Sequence, residues 1–332
     1  MTDNTTKRID WVDAAKGVGI LMVMFGHNWL DARYCFYLYA FHMPLFFLLA
    51  GYTFSDKRNL KVYILQKSKV LLIPYFIFAA CHVVFYSVLK TLHTGSYDIV
   101  GEVVNFLFQR RHTYLWFLPV LFWGEVVVYV LSRLNLMGNI LMGGVNILLL
   151  IVLHSFTILL GCQNLVWNID LVPMASSFII LGWMYKQHGK KHNKVKLSWH
   201  SIAFIFIVSL ILSAINYLGW GMVDIRGNKY GNYFLFYPVA ILCSLALICL
   251  LRQIRCPHWL LFIGANSLVY YGLHRLVIEL LFVVWGKCEV SYDGVSFLSL
   301  IIAVINVIIT CTILTPIVLF INKRYPWLLG KF

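Results

Sequence analysis

Lys16 and His27 stand eleven residues apart in an otherwise apolar run. Eleven residues at about 100° each return two side chains to within roughly 20° of one helix face, and the 1.5 Å rise separates them by about 16 Å along the axis. One stripe of a helix then carries a cation suited to an anion, with an imidazole suited to proton transfer three turns away. Gly17, Gly19 and Gly26 thin that helix, so another backbone or a ligand can come close. His42, in Phe41-His42-Met43-Pro44-Leu45-Phe46-Phe47, opens the next apolar run after a short connection. The two runs are therefore antiparallel neighbours whose histidines can face one cavity. Pro44 removes a backbone donor, and loosened backbone at membrane depth belongs where it lines a cavity. The pair is an acid–base arrangement.

Other ionisable residues in apolar surroundings are His82, Glu125, His154, Asp170, His274, Arg275 and Glu279. Such groups are costly inside a bilayer and generally functional. His82 and His154 are isolated and read as packed, hydrogen-bonded histidines, and Glu125 as a partner for another polar group. Asp13 lies about one turn before Lys16, where it steers the amine or caps the helix.

The surroundings of these residues set the class of protein. Of 332 residues, 61% are hydrophobic and 12% charged, against about 45–50% and 25% in soluble domains; the mean hydropathy is +0.80. A water-soluble globule, a disordered chain and a disulfide scaffold are excluded. The formal charge of +14 points to cytoplasmic loops rather than to a nucleic-acid partner. Cys81, Cys243, Cys249 and Cys311 read as small core residues. Cys35, Cys162 and Cys288 fall in outer loops, where a disulfide is open. The sequence has no CxxC pair and no metal-ligand spacing, so no metal is expected.

A crossing helix needs about 20 apolar residues, and that ruler gives ten spans, at about 14–32, 36–54, 70–90, 114–132, 138–160, 170–187, 199–219, 232–251, 259–284 and 296–321. The gaps are too short for a soluble domain, so residues 1–332 read as one all-α, polytopic membrane domain. With the N-terminus inside, 19 of the 27 Lys and Arg residues fall on inner segments and seven, Arg110 and Arg111 among them, on outer ones. That bias puts both termini in the cytoplasm.

Trp11-Val-Asp13-Ala-Ala-Lys16-Gly-x-Gly-Ile-x-x-Val-x-x-Gly26-His27, followed by Phe-His42-Met-Pro-Leu-Phe-Phe-x-x-Ala-Gly51-Tyr, resembles acyltransferase family 3, the integral-membrane O-acyltransferases. The likeness is to the branch of fucose 4-O-acetylase-like proteins. Leu72-Ile-Pro74-Tyr75, Leu115-Trp116-Phe117-Leu118, Trp167-Asn168-Ile-Asp170, Tyr230-Gly231-Asn232, Gly264-x-Asn266-Ser267 and His274 follow in the family's order. The resemblance implies a ten-helix enzyme of the bacterial inner membrane. It would use cytoplasmic acetyl-CoA, with no metal, to acetylate a hydroxyl of a surface polysaccharide such as an O-antigen, or of a lipid-linked sugar, with membrane lipids around it.

The family's Arg/Lys-x10-His signature falls on Lys16 and His27. Lysine stands where relatives often carry arginine, so a phosphate is met by a point charge and not a bidentate fork. On this reading Lys16, Lys67 and Lys69 hold the coenzyme phosphates. His27 then acts as general base or as a transient acetyl carrier, and His42 orients the acceptor or stabilises the oxyanion. Asp13, Trp116, Asp170, Tyr230, Asn232, Asn266 and His274 are the candidate acceptor-binding groups, with Trp116 equally suited to an aromatic belt. A secondary transporter or flippase for a lipid-linked sugar uses similar intramembrane histidines. The hydropathy lacks the two-fold repeat of such proteins, and transport does not require a basic cluster beneath a histidine.

Overall fold

Apolar runs too long for a soluble core become helices in the computed structural model, which describes residues 8–94, 98–109, 114–161, 164–191 and 197–330. In chain order these are α1 (Asp10–Gly26), α2 (Ala32–Thr53), α3 (Leu60–Lys67), a π-helical turn at Ser68–Leu72 and α4 (Ile73–Thr94). Next come α5 (Ile99–Leu107), α6 (Phe117–Arg133), α7 (Ile140–Leu159), a 3₁₀ segment at Val166–Leu171, α8 (Val172–Lys191) and α9 (Trp199–Trp220). The chain ends with α10 (Tyr233–Leu251), α11 (His258–Ala265), α12 (Ser267–Lys287), α13 (Phe297–Arg324) and a 3₁₀ turn at Pro326–Leu329. Among the described residues the one β-type contact is an isolated bridge between Asp224 and Lys229. The protein is an all-helical, polytopic membrane protein.

Each of the ten expected spans coincides with a helix or a broken helix, and eight are long and apolar enough to cross a membrane. The other two, α1 and α6, have 17 residues each, because both stop or start at membrane depth. Besides the early end of α1, the structure departs from the sequence reading at several points. The basic stretch before Pro74 is not a loop: Asn59 accepts the Val62 N–H at 2.9 Å and caps a helix that runs through the π turn into α4. His42 does not open α2 but sits in its middle, with Pro44 accommodated inside the helix. The span expected at 259–284 is broken at Asn266 into α11 and α12.

Helix α1 is the hub, packing against α2, α10, α11, α12 and α13. Its approach to α11 is a backbone contact. A Cβ on Gly17 would lie 2.5 Å from the Leu260 carbonyl oxygen, and one on Gly264 would lie 1.7 Å from that of Asp13. Helices α2 and α8 meet the same way through Gly51 and Gly182. Without a hydrophobic force between helices in lipid, such small-residue crossings supply close packing instead. On α7, α9 and α13, side chains such as Leu148, Ile207 and Ile308 point outward and form the lipid-facing band.

Contacts sort the connections into two ends. Arg252 lies 5.5 Å over the Trp11 ring, Lys186 donates to the Phe54 carbonyl, and Tyr129 to that of Arg58. At the opposite end the Asp31 N–H donates to the Gly294 carbonyl and the Tyr34 hydroxyl to that of Val295. Arg110, Arg111 and Cys162 lie outside the described residues; Cys35 and Cys288 are free thiols.

Candidate active site

Helix α1 ends at Gly26, and His27 occupies its C-cap with φ −87° and ψ 10°. A helix end leaves carbonyls without intrahelical partners. Three side chains satisfy them here: Asn28 Nδ2 donates to the Met24 carbonyl at 2.8 Å, the Tyr39 hydroxyl to the Gly26 carbonyl at 3.0 Å, and Arg275 Nη1 to the His27 carbonyl at 2.6 Å. Arg275 is 2% exposed, and an acid, two rings and a helix end surround its charge. It pairs with Glu279 one turn on, lies 4.4 Å from the Trp29 ring and 4.6 Å from that of Tyr114, and places its cation at a helix C-terminus, where the dipole favours it.

On the side that the basic-residue bias makes the outer one, His27 faces a cavity, here the outer cavity, of about 320 Å³ lined also by Trp29, Tyr39, His42, Tyr114, Trp116 and Arg226. His27 Nδ1 lies 2.6 Å from His274 Nε2. The ring planes are within 6° while their centroids are 4.9 Å apart, so the imidazoles meet edge to edge in one plane and not face to face. His27 Nε2 is then the nitrogen left for a ligand. His42 Nδ1 donates to the Leu38 carbonyl at 2.6 Å, which leaves an acceptor at its Nε2. A neutral His42 thus suits a hydroxyl of the acceptor better than an oxyanion.

The cavity is roofed by residues 222–226, part of a turn closed by paired backbone bonds between Asp224 and Lys229. Asn216 ties this turn down, donating to the Tyr230 carbonyl and accepting the Asn232 N–H. A second outer loop leads into α13. There the Ser296 and Val295 N–H groups and the Ser296 and Ser299 hydroxyls hold the Asp293 carboxyl well below the usual carboxylate range.

An inner cavity of about 220 Å³ lies toward the other end of α1, lined by Lys16, Lys67, Glu125 and Ser267 among apolar side chains. The π turn and the helix it interrupts carry Lys67, Val70 and Leu71 to its wall; π-bulges recur at functional sites. Lys67 Nζ donates to Glu125 Oε1 at 2.7 Å. Lys16 has no hydrogen bond or ion pair among the described residues. Met43 and Tyr271 line both cavities. Tyr271 is pinned there, donating to the Tyr114 carbonyl at 2.6 Å and accepting the Phe117 N–H at 3.3 Å. A third and larger concavity, about 990 Å³ between α1, α11 and α13, is almost wholly apolar and carries no charged side chain.

The profile of acyltransferase family 3, described as an acyltransferase domain, matches residues 9–321. The chain belongs to acyltransferase family 3. No curated protein and no solved structure matches it.

Within this membrane acyltransferase the expected site residues part company. Lys16 and Lys67 share the inner cavity; His27, His42 and Trp116 share the outer one. Lys67 is not a free cation, since Glu125 holds it. Lys69 is exposed and off the inner wall, two residues past Lys67 within the π turn.

The remaining candidates reach neither cavity. Asp13 sits at the inner end of α1, 3.8 Å from Arg8. Asp170 is buried in the 3₁₀ segment before α8. Tyr230 packs edge-on against His154 at 5.0 Å between ring centres, and Asn232 caps α10 by accepting the Phe234 N–H. Asn266 accepts from Asn322 at 2.8 Å, tying the α11–α12 break to α13. His274 stands behind His27 and not in the cavity. Sequence reasoning left out Tyr114, Tyr271 and Arg226. The sequence marks Tyr114 only as an aromatic at a span end, Tyr271 only as one inside a span, and Arg226 only as one outer-loop cation among several.

Proposed function

We propose that this acyltransferase is an O-acetyltransferase of the bacterial inner membrane, close to the fucose 4-O-acetylase-like branch. It takes acetyl-CoA from the cytoplasmic side and acetylates a hydroxyl of a polysaccharide or lipid-linked sugar held on the outer side. One observation carries the reading: a cavity with a lysine unpartnered among the described residues and a cavity with a histidine share Met43 and Tyr271 as a common wall. Family membership favours acyl transfer over the transporter or flippase reading.

The volumes agree with this division. Pockets for whole drug-sized ligands run from about 300 to 1,000 Å³. The inner cavity, at about 220 Å³, suits the thioester arm of a coenzyme, with its phosphates left toward Lys16. The outer cavity, at about 320 Å³ and rich in aromatic walls, suits one sugar unit against Trp29, Tyr114 or Trp116. His27 Nε2 takes the proton from the acceptor hydroxyl as its oxygen bonds to the thioester carbonyl carbon. The carbon–sulfur bond breaks, and the departing thiolate takes that proton back from His27.

Replacing the base tests this. His27→Ala is expected to abolish O-acetylation of the surface glycan, read by mass spectrometry, while acetyl-CoA still raises the unfolding temperature of the purified protein. Undiminished O-acetylation in His27→Ala refutes the assignment. Radiolabelled acetyl retained on wild-type protein without acceptor makes His27 a carrier instead of a base.

A further inference from the structure

His27 and His42 both face the outer cavity, yet only His27 has a second imidazole against it, and that imidazole is itself anchored. His274 Nδ1 lies 3.0 Å from the Tyr270 carbonyl oxygen and 2.9 Å from that of Tyr271. Carbonyl oxygens only accept, so Nδ1 of His274 carries the hydrogen. A neutral imidazole has one N–H, which leaves a lone pair on its Nε2. That atom is the one 2.6 Å from His27 Nδ1. Two ring nitrogens at this distance need a hydrogen between them, and His27 Nδ1 must supply it. The remaining nitrogen of His27, Nε2, is then bare.

From this chain of donors and acceptors we propose that His274 is a positioning residue. It holds His27 in the tautomer protonated at Nδ1 and unprotonated at Nε2, the form that accepts a proton from the acceptor hydroxyl. The proposal rests on the reading of His27 as the base. The charges around the pair agree with a neutral His274. It is fully buried, its chain neighbour is the Arg275 cation, and the carboxylate on the same helix, Glu279, is already paired with Arg275. His82, on α4, spends its Nε2 on the Gly272 carbonyl, and Arg226 lies across the cavity over Tyr114. Asp224 lines the cavity on the far side of His27, in the turn that carries Arg226, and among the described residues no acid hydrogen-bonds or pairs with His274.

Helix α12 thus grips the catalytic histidine twice with consecutive residues, His274 at the ring and Arg275 at the backbone carbonyl. When Nε2 takes the proton, His27 becomes a cation whose Nδ1–H points at the lone pair of His274. That bond strengthens as charge develops. The logic is that of the aspartate behind the histidine of a serine-protease triad, with a carbonyl-anchored imidazole in the aspartate's place.

The experiment uses full-length protein in lipid nanodiscs, acetyl-CoA as donor and the host's lipid-linked glycan fraction as acceptor. Glutamine at 274 can accept the His27 Nδ1–H through Oε1 while donating to the carbonyls, and leucine can do neither. His274→Leu is expected to lose on the order of 10²-fold in kcat, with KM for acetyl-CoA and its thermal shift unchanged. His274→Gln is expected to stay within about tenfold of wild type. Inactive His27→Ala beside a fully active His274→Leu overturns the positioning role alone, whereas active His27→Ala overturns the underlying reading. Equal losses in His274→Leu and His274→Gln overturn the tautomer argument. Should His274→Leu fail to fold, ¹⁵N-histidine NMR of wild type decides, with the His27 signals assigned by their loss in His27→Ala. Protonation at Nδ1 is expected, and protonation at Nε2 overturns the proposal.

Discussion

Glu125→Ala should lower stability and raise donor affinity at once, two effects that ordinary damage to a fold does not combine. Glu125 is 3% exposed; in its 2.7 Å pair with Lys67 the side chains are 4% and 27% exposed. Removing one partner from a fully buried pair costs about 3–5 kcal/mol, and an exposed pair is worth at most about 1 kcal/mol. Lys67 opens partly into the inner cavity, so the expected loss lies between, about 2–3 kcal/mol. That corresponds to a fall on the order of 5 °C in unfolding temperature.

Donor binding should move the other way. Lys16, Lys67 and Glu125 give the inner cavity a net charge of +1, which becomes +2 without the carboxylate. Two unit charges 4 Å apart interact by about 1 kcal/mol in water and about 4 kcal/mol at an effective dielectric of 20. Taking the lower figure, acetyl-CoA should bind roughly fivefold more tightly. Unfolding temperatures over a series of acetyl-CoA concentrations yield both quantities, since a ligand of the folded state stabilises by RT ln(1 + [L]/Kd). Lys16→Ala serves as the opposite control, stable but weakened in donor binding. A Glu125→Ala protein that is destabilised as expected but binds acetyl-CoA no better than wild type would refute the placement of donor phosphates in the inner cavity.

Two further substitutions test the frame. Gly51→Ala puts a methyl 1.8 Å from the Ile179 carbonyl oxygen and should cost about 1–3 kcal/mol by overpacking the α2–α8 crossing; Gly144→Ala, with nothing within 4 Å, is the control, and equal unfolding temperatures for the two would disprove the close approach. Asp293→Ala should lower the unfolding temperature at pH 7. Because hydrogen bonds to the Ser296 and Val295 N–H groups depress the folded-state value of Asp293, its stabilisation is present above the unfolded value near about 3.9 and fades as pH falls through the folded one. The gap to wild type should therefore persist at pH 5 and close only below about pH 4; closure between pH 7 and 5 is the contrary result.

The spans were legible because each is a long apolar run, and long runs need no partner to declare themselves. Their ends were not, because the groups that end them are remote. Helix α1 was expected to continue to about residue 32, yet it stops at His27, where Arg275, 248 positions away, takes the freed carbonyl. The Lys67–Glu125 pair joins residues 58 apart, so the free lysine cluster that the resemblance implies loses one member to an acid that spacing could not assign. Asn59 is a legible cap in hindsight, but the lysines and arginine around it fall in the gap between two expected spans. Lys16 and His27 were legible as a pair, and the two cavities that separate them were not, since Met43 and Tyr271 come from other helices. The candidates that strayed furthest, Tyr230, Asn232 and Asn266, are polar residues at helix ends, where capping and loop anchoring compete with ligand binding for the same side chains.

The shortness of α1 and α6 explains why a site forms where it does. Seventeen residues rise about 26 Å, short of a hydrocarbon core of about 30 Å. Each helix therefore leaves irregular backbone at membrane depth, after His27 in one case and before Phe117 in the other. Water cannot satisfy that backbone, so buried side chains must. Arg275, Asn28 and Tyr39 serve the first break; Tyr271 serves the second, at the carbonyl of Tyr114. The polar groups needed to close the two helix ends thus collect in one region of the bilayer, around the wall that divides the cavities. A full-length α1 would keep His27 within a closed backbone ladder, its carbonyl spent on the helix and Arg275 without that acceptor. Ending the helix there frees the carbonyl for α12 to grip and leaves the imidazole facing the cavity, so the defect in the span is what makes the histidine available.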